Sequence, residues 1–181
     1  MARRKLLFVA TEDWFFASHF LPMARAAAEM GLDVAVIARE RNHRKAIEAT
    51  GARLIALEAE RRSLSPKALY RQVMALKHLI AAEQPDILHC IALKPIALAG
   101  LAGRLAGVER RVYALTGLGF LGAREGAVAQ AARLAARFWL REAIDGPQVR
   151  FLFENPDDPV MLGLDPTDAT KVAIVGGAGG A

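Results

Sequence analysis

Residues 5–38 read KLLFVATEDWFFASHFLPMARAAAEMGLDVAVIA, and the spacing of apolar runs inside this stretch decides the fold. Lys5–Ala10 (KLLFVA) is unbroken and apolar, not alternating, as a strand covered on both faces has to be. The loop Thr11–His19 leads into a helix predicted over Ser18–Met30, stopped by Gly31. Asp33–Ala38 (DVAVIA) is a second continuous apolar run. A strand, a helix and a strand in close succession predict two parallel strands joined by a helical crossover.

The same alternation continues to the end of the chain. Arg41–Thr50 reads as a short polar helix closed by Gly51, and Arg53–Leu57 as a third strand. Ser65-Pro66 opens a helix with a capping serine and a proline at the first helical position. Leu69, Val73, Leu76 and Ile80 then recur at helical spacing up to the stop at Pro85. Asp86–Cys90 is a fourth strand and Leu93–Ala106 a small-residue helix ended by Gly107. Arg111–Leu115 is a fifth strand, Arg124–Ile144 a long helix and Val149–Phe153 a sixth strand. Asn155-Pro156 opens a helical turn through Leu162, and Lys171–Val175 is a seventh strand, followed by the glycine-rich Gly176–Gly180. The expected class is α/β: a single Rossmann-like domain over residues 1–181, with about seven mainly parallel strands and helices on both faces.

Composition narrows the function. At 181 residues, 54% hydrophobic and 24% charged, the chain is long and apolar enough to bury a core. No apolar run approaches the roughly 20 residues needed to span a bilayer, and the run at the start ends at Thr11-Glu12-Asp13, too soon for a signal peptide. The single cysteine, Cys90, excludes an internal disulfide and fits a reducing cytoplasm. A net charge of +5 suits nucleic acid, anionic lipid or phosphorylated substrates, but no nucleic-acid reading motif is present.

Ligands of open α/β sheets bind at the carboxyl ends of the strands, so the loops there hold the candidates. The first lacks the Gly-x-Gly-x-x-Gly of a dinucleotide site. It carries instead Asp13, Trp14 and His19: an aromatic ring for stacking on a sugar, or for stapling the loop to the sheet, and an imidazole for proton or phosphate contact. Lys94, after the fourth strand, has the charge to meet a phosphate or diphosphate. Thr116-Gly117-Leu118-Gly119 lets backbone amides approach an anion, or is a tight turn. Glu154 and Asn155, after the sixth strand, offer a sugar-hydroxyl or metal contact, with a helix cap as the plainer use of Asn155. His89 and Cys90 lie within an apolar strand and read as core. Arg133, Arg137 and Arg141 fall at i, i+4 and i+8 beside Phe138 and Trp139. They form one helix face, either solvated or set against an anionic membrane.

Five pieces, in order, resemble the N-terminal domain of family 4 glycosyltransferases of bacterial polysaccharide synthesis. They are residues 5–38, DILHCIALKPIALAGLAGRLAGV (86–108), VYALTGLGFL (112–121), FLFENPDD (151–158) and KVAIVGGAGG (171–180). The resemblance implies half of a GT-B fold, two Rossmann-like domains facing a cleft. The N-terminal one holds a glycan or lipid-linked sugar acceptor, and the C-terminal one binds the nucleotide-sugar. It implies transfer with retention of configuration, no metal and no cofactor, in the cytoplasm, with peripheral contact at the inner face of the plasma membrane. Carried over by position, the cleft wall is Asp13, Trp14, Lys94, Thr116, Gly117, Glu154 and Asn155.

Two departures limit the transfer. Many relatives carry a histidine just after the fifth strand, where this chain has Thr116-Gly117. The donor-binding C-terminal domain is expected to lie outside these 181 residues, so this chain alone is expected to be inactive. The alternatives are a non-catalytic half that recruits a separate donor-binding subunit, and an oxidoreductase or epimerase of Rossmann type.

Overall fold

A computed structural model describes residues 3–57, 65–117 and 126–175. Its seven strands are β1 (Lys5–Glu12), β2 (Asp33–Arg39), β3 (Arg53–Ala56), β4 (Ile87–Ile91), β5 (Arg111–Leu115), β6 (Val149–Phe153) and β7 (Val172–Ile174). They form one sheet in the order β3-β2-β1-β4-β5-β6-β7, and every pairing is parallel. The chain winds outward from β1 to β3, returns past β1, and winds the other way from β4. The reversal lies between β1 and β4, the topological switch point where open α/β sheets bind ligands.

Helices α1 (Asp13–His19), α2 (Leu21–Glu29) and α3 (Arg44–Glu48) cover one face. Their Phe16, Ala24, Ala27 and Ile47, with Phe20 between α1 and α2, pack on Phe8, Val34 and Val36. Helices α4 (Pro66–Glu83), α5 (Leu93–Leu105) and α6 (Ala127–Phe138) cover the other. There Val73, Leu76, Ile80, Ile96 and Ala99 pack on Leu7, Leu88, Tyr113 and Phe151. A π-helical turn, Trp139–Ile144, continues α6, and α7 (Asp157–Met161) precedes β7. With both faces filled, β1 is buried from Leu6 to Ala10 and β2 from Val34 to Ala38.

Several boundaries differ from the sequence reading for identifiable reasons. The helix expected over Ser18–Met30 is two helices broken at Phe20, because Pro22 stands in the first turn of α2 and lacks the amide needed to continue α1. The loop expected over Thr11–His19 is the end of β1 followed directly by α1. The polar helix over Arg41–Thr50 shrinks to five residues, since the amides of Arg41 and His43 bond to Asp13. The long helix becomes α6 plus the π turn, and residues 118–125 lie outside the described residues. Ser65 caps α4 as expected, accepting from the Ala68 amide at 3.3 Å, and Gly31 and Gly107 end α2 and α5 at φ of 83° and 79°.

Small residues set how closely α5 lies on the sheet. A methyl at Gly100 would fall 2.9 Å from the Tyr113 hydroxyl, and one at Gly103 would overlap the Leu88 side chain. Beneath α5 the buried Arg111 donates to Tyr113 Oη at 3.0 Å and to the carbonyls of Val108, Ile144 and Asp145. Tyr113 Oη donates to the same Ile144 carbonyl at 3.1 Å. The guanidinium thereby satisfies the end of the π turn, where unpaired carbonyls concentrate negative charge.

His89 and Cys90 are core residues. Burial pushes the Cys90 thiol well above its ordinary range, which removes it as a nucleophile. Burial also pushes His89 down from 6.5 to about 4; its ring lies 5.0 Å from Phe8, and Nε2 has no hydrogen-bond partner among the described residues. The folded chain therefore keeps this histidine neutral where the unfolded chain protonates it, so stability falls as pH drops from 6.5 toward 4. That difference corresponds to about 3 kcal/mol. In chemical denaturation across this range, His89→Leu flattens the loss; an unchanged slope would show that other groups cause it.

Candidate functional site

The carboxyl end of β1 carries two acidic residues in succession. Glu12 and Asp13 are both buried. Glu12 ends β1 and faces Arg39 at the end of β2, with Arg39 Nη1 3.7 Å from Glu12 Oε1. Asp13 begins α1 and is fully enclosed. Its Oδ2 accepts the backbone N–H of Arg41 at 2.7 Å and of His43 at 3.0 Å. Burial raises the carboxyl's pKa, but the amides of Arg41, His43 and Trp14 outweigh it and hold the group below its ordinary value. Asp13 thus fastens the segment after β2 to the start of α1.

On the other side of β1, a small cavity of about 50 Å³ opens at the strand ends. Val9, Leu76 and Leu98 form its apolar floor, and Thr11, Glu12, Arg39, Gln72 and Lys94 its polar margin. Lys94 is placed there by an unusual turn. Ala92, between β4 and α5, has φ of +70°, a conformation that costs an L-residue of order 1–3 kcal/mol and concentrates at functional sites. Lys94 also lines a second, larger groove of about 510 Å³. That groove runs between α4 and α5 and is walled by Leu69, Tyr70, Val73, Leu101 and Trp139.

The remaining sequence candidates are spread along the same edge. Trp14 is 45% exposed and packs edge-on against Phe15 with ring centres 5.9 Å apart. His19 is exposed at the end of α1, its Nδ1 3.1 Å from the Phe15 carbonyl, so it belongs to a helix end and not to a helix start. Thr116 is half-buried and Gly117 exposed with φ of 103° beyond β5; Gly119 lies outside the described residues. Asn155 caps α7, its Oδ1 accepting the amides of Asp157 and Asp158 at 3.0 Å each. Glu154 is exposed beside it. Among the described residues, no cluster of three or more acidic, histidine or cysteine side chains could hold a metal ion.

The arginine stripe divides. Arg133 and Arg137 are half-buried and Arg141 exposed. Arg137 donates to the Met161 carbonyl at 2.9 Å, tying α6 to the end of α7. The π turn that starts at Trp139 changes the angular step, so Arg141 does not stay in line with the other two. The outer surface of α6 is apolar instead, with Leu134 62% and Phe138 67% exposed. No described helix is long and apolar enough to cross a membrane.

Glu12, Gln72 and His43 were not singled out from sequence, and Arg39 reads there only as one of a basic cluster with Arg41, Arg44 and Lys45. Glu12 lies in the loop read over Thr11–His19 and Arg39 just beyond the second apolar run, and the parallel pairing of β1 with β2 brings them together. Gln72 has no sequence signal, since it is one polar residue on a long amphipathic helix.

Residues 5–144 match the family model described as glycosyl transferase 4-like. A search of the curated proteins finds no match. Among solved structures, a glycosyltransferase from Rickettsia africae superposes with a TM-score of 0.70 at 10% identity, over 97% of this chain and 43% of that one. MurG of Acinetobacter baumannii gives 0.58 at 13% identity, over 97% and 45%. A structure named as a UDP-N-acetylglucosamine 2-epimerase from Listeria monocytogenes gives 0.62 at 16% identity, over 95% and 45%. The chain spans about half the length of these neighbours, and at such identities the likeness is one of fold.

Removing the Asp13 carboxylate strands two amides at the strand ends. Asp13→Ala is expected to lower stability at neutral pH by about 2–3 kcal/mol. Asp13→Asn, which keeps an accepting oxygen, loses less. Equal urea midpoints for Asp13→Ala and the unaltered chain would contradict this role.

Proposed function

The chain belongs to the glycosyl transferase 4-like family, and from that premise we propose that it is the acceptor-side half of a GT-B glycosyltransferase. A sugar from a nucleotide-sugar, held by a donor-binding second domain, passes to a glycan or lipid-linked acceptor held here, with retention of configuration. Polysaccharide synthesis on the cytoplasmic side of the plasma membrane is the setting this reading implies.

One observation carries the acceptor assignment: Lys94 borders both the polar strand-end cavity and the long apolar groove. An acceptor with a sugar, a phosphate and a hydrocarbon tail has chemistry for each part. The sugar meets the strand ends, where Trp14 and Glu154 are exposed. The phosphate meets the Lys94 ammonium. The tail follows Tyr70, Leu101 and Trp139 between α4 and α5. The exposed apolar residues of α6, flanked by Arg133 and Arg141, then rest on an anionic membrane from which the acceptor is drawn.

Donor contacts are expected from the other domain. The isolated chain should bind a lipid-linked sugar diphosphate in detergent micelles, retain a nucleotide-sugar poorly, and transfer little or no sugar. Transfer at ordinary enzymatic rates by this chain alone would refute the division of labour. Restoration by a separate donor-binding protein would favour the recruiting half of a two-chain enzyme.

The membrane assignment has its own test. Phe138→Ser combined with Trp139→Ser is expected to reduce sedimentation of the chain with phosphatidylglycerol vesicles by tenfold or more, given roughly 1.5–3 kcal/mol for each large apolar side chain buried. Unchanged partition would remove this face from the membrane contact.

A further inference from the structure

His43 combines a buried ring nitrogen with a partly exposed ring. It follows β2 and immediately precedes α3. Its Nδ1 is buried and lies 3.5 Å from Asp13 Oδ1, and among the described residues neither atom has a regular hydrogen bond. The side chain is nevertheless 41% exposed, so its accessible surface belongs to the rest of the ring. The backbone amide of the same residue donates to Asp13 Oδ2 at 3.0 Å, so one carboxylate governs both the main chain and the ring of His43.

A carboxylate facing Nδ1 favours the tautomer that carries its hydrogen there. Nε2 then presents a lone pair to solvent at the ligand-binding edge of the sheet. The residue next to Asp13 is the exposed Trp14. A lone pair at Nε2 accepts a hydrogen and donates none, so an anion, which only accepts, does not suit this position. A sugar hydroxyl, an uncharged O–H donor, does.

We propose that His43 Nε2 accepts a hydrogen bond from a hydroxyl of the acceptor sugar, with Asp13 as the positioning residue that sets its tautomer. The inference rests on the glycosyltransferase reading above and deepens it, adding an acceptor contact distinct from the Lys94 cavity.

The test uses the complete transferase, this domain with its donor-binding half, and compares His43→Gln, His43→Asn and His43→Ala. Glutamine can place an amide oxygen near the position of Nε2, whereas asparagine reaches only that of Nδ1. Asn and Ala are expected to lower kcat/KM for the acceptor about tenfold, the worth of one hydrogen bond. Gln recovers most of it, and KM for the donor stays unchanged in all three. Rescue by Asn but not Gln, or wild-type kinetics in all three, overturns the proposal, because the ring would then serve only Asp13. Should a variant fail to fold, nitrogen NMR of His43 in the unaltered chain decides: hydrogen on Nδ1 supports the proposal, and hydrogen on Nε2 overturns it. A wild-type enzyme that transfers no sugar defeats the parent reading, whereas transfer with unaffected variants defeats this inference alone.

Discussion

Both faces of a parallel sheet have to be shielded from water, because each crossover lays a helix on one face or the other and the strands themselves carry no polar side. In this chain that requirement fixes where function can reside. Helices α1 to α3 take one face and α4 to α6 the other, which leaves ligands only the sheet's edge or the outer surfaces of helices. The carboxyl edge collects the acidic ends of β1, the arginine of β2 and the start of α5. The outer surfaces of α4 to α6 collect apolar residues that the core does not use. Among the described residues, the two regions adjoin along the start of α5, at Lys94 and Leu98.

That constraint also explains what was legible in the sequence. Continuous apolar runs mark strands buried on two sides, so all seven strands could be read, and Arg111–Leu115 and Val149–Phe153 coincide with β5 and β6 to the residue. The broken helix at Phe20 and the short α3 could not, for different reasons. Pro22 is also compatible with one continuous helix that starts later. The shortening of α3 follows from hydrogen bonds to Asp13, a residue 28 positions before Arg41, and local propensity carries no information at that distance.

The site was legible by place more than by role. Strand-end loops can be located from topology alone, but which side chains turn inward depends on pairing across strands. Asp13 stands out in sequence as a charge in a ligand-side loop, yet it is enclosed, and its partner His43 holds the exposed position. Arg133, Arg137 and Arg141 look like one stripe at α-helical spacing. The π turn and the contact of Arg137 with the Met161 carbonyl separate them, and Leu134 and Phe138 take the outward direction. In both cases a charged residue that seemed free from its spacing is bound to backbone, as expected where an unpaired amide or carbonyl would otherwise be stranded.

The position of Lys94 carries this further. Its backbone is delivered by Ala92 in a conformation that an L-residue adopts only when its surroundings impose it. A standard turn from β4 would start α5 along a different direction. The Gly100 and Gly103 contacts then fix how deeply α5 sits against β4 and β5, and the donation from Trp139 Nε1 to the Ala97 carbonyl at 3.2 Å sets the π turn against α5. One helix, held close at its middle and strained at its start, therefore forms the shared wall of the polar cavity and the apolar groove. A ligand that occupied both would have to bend around the first turn of α5. A polar head joined to a long apolar tail can do so without exposing the tail to water, whereas a rigid or uniformly polar ligand would leave one of the two surfaces unmatched.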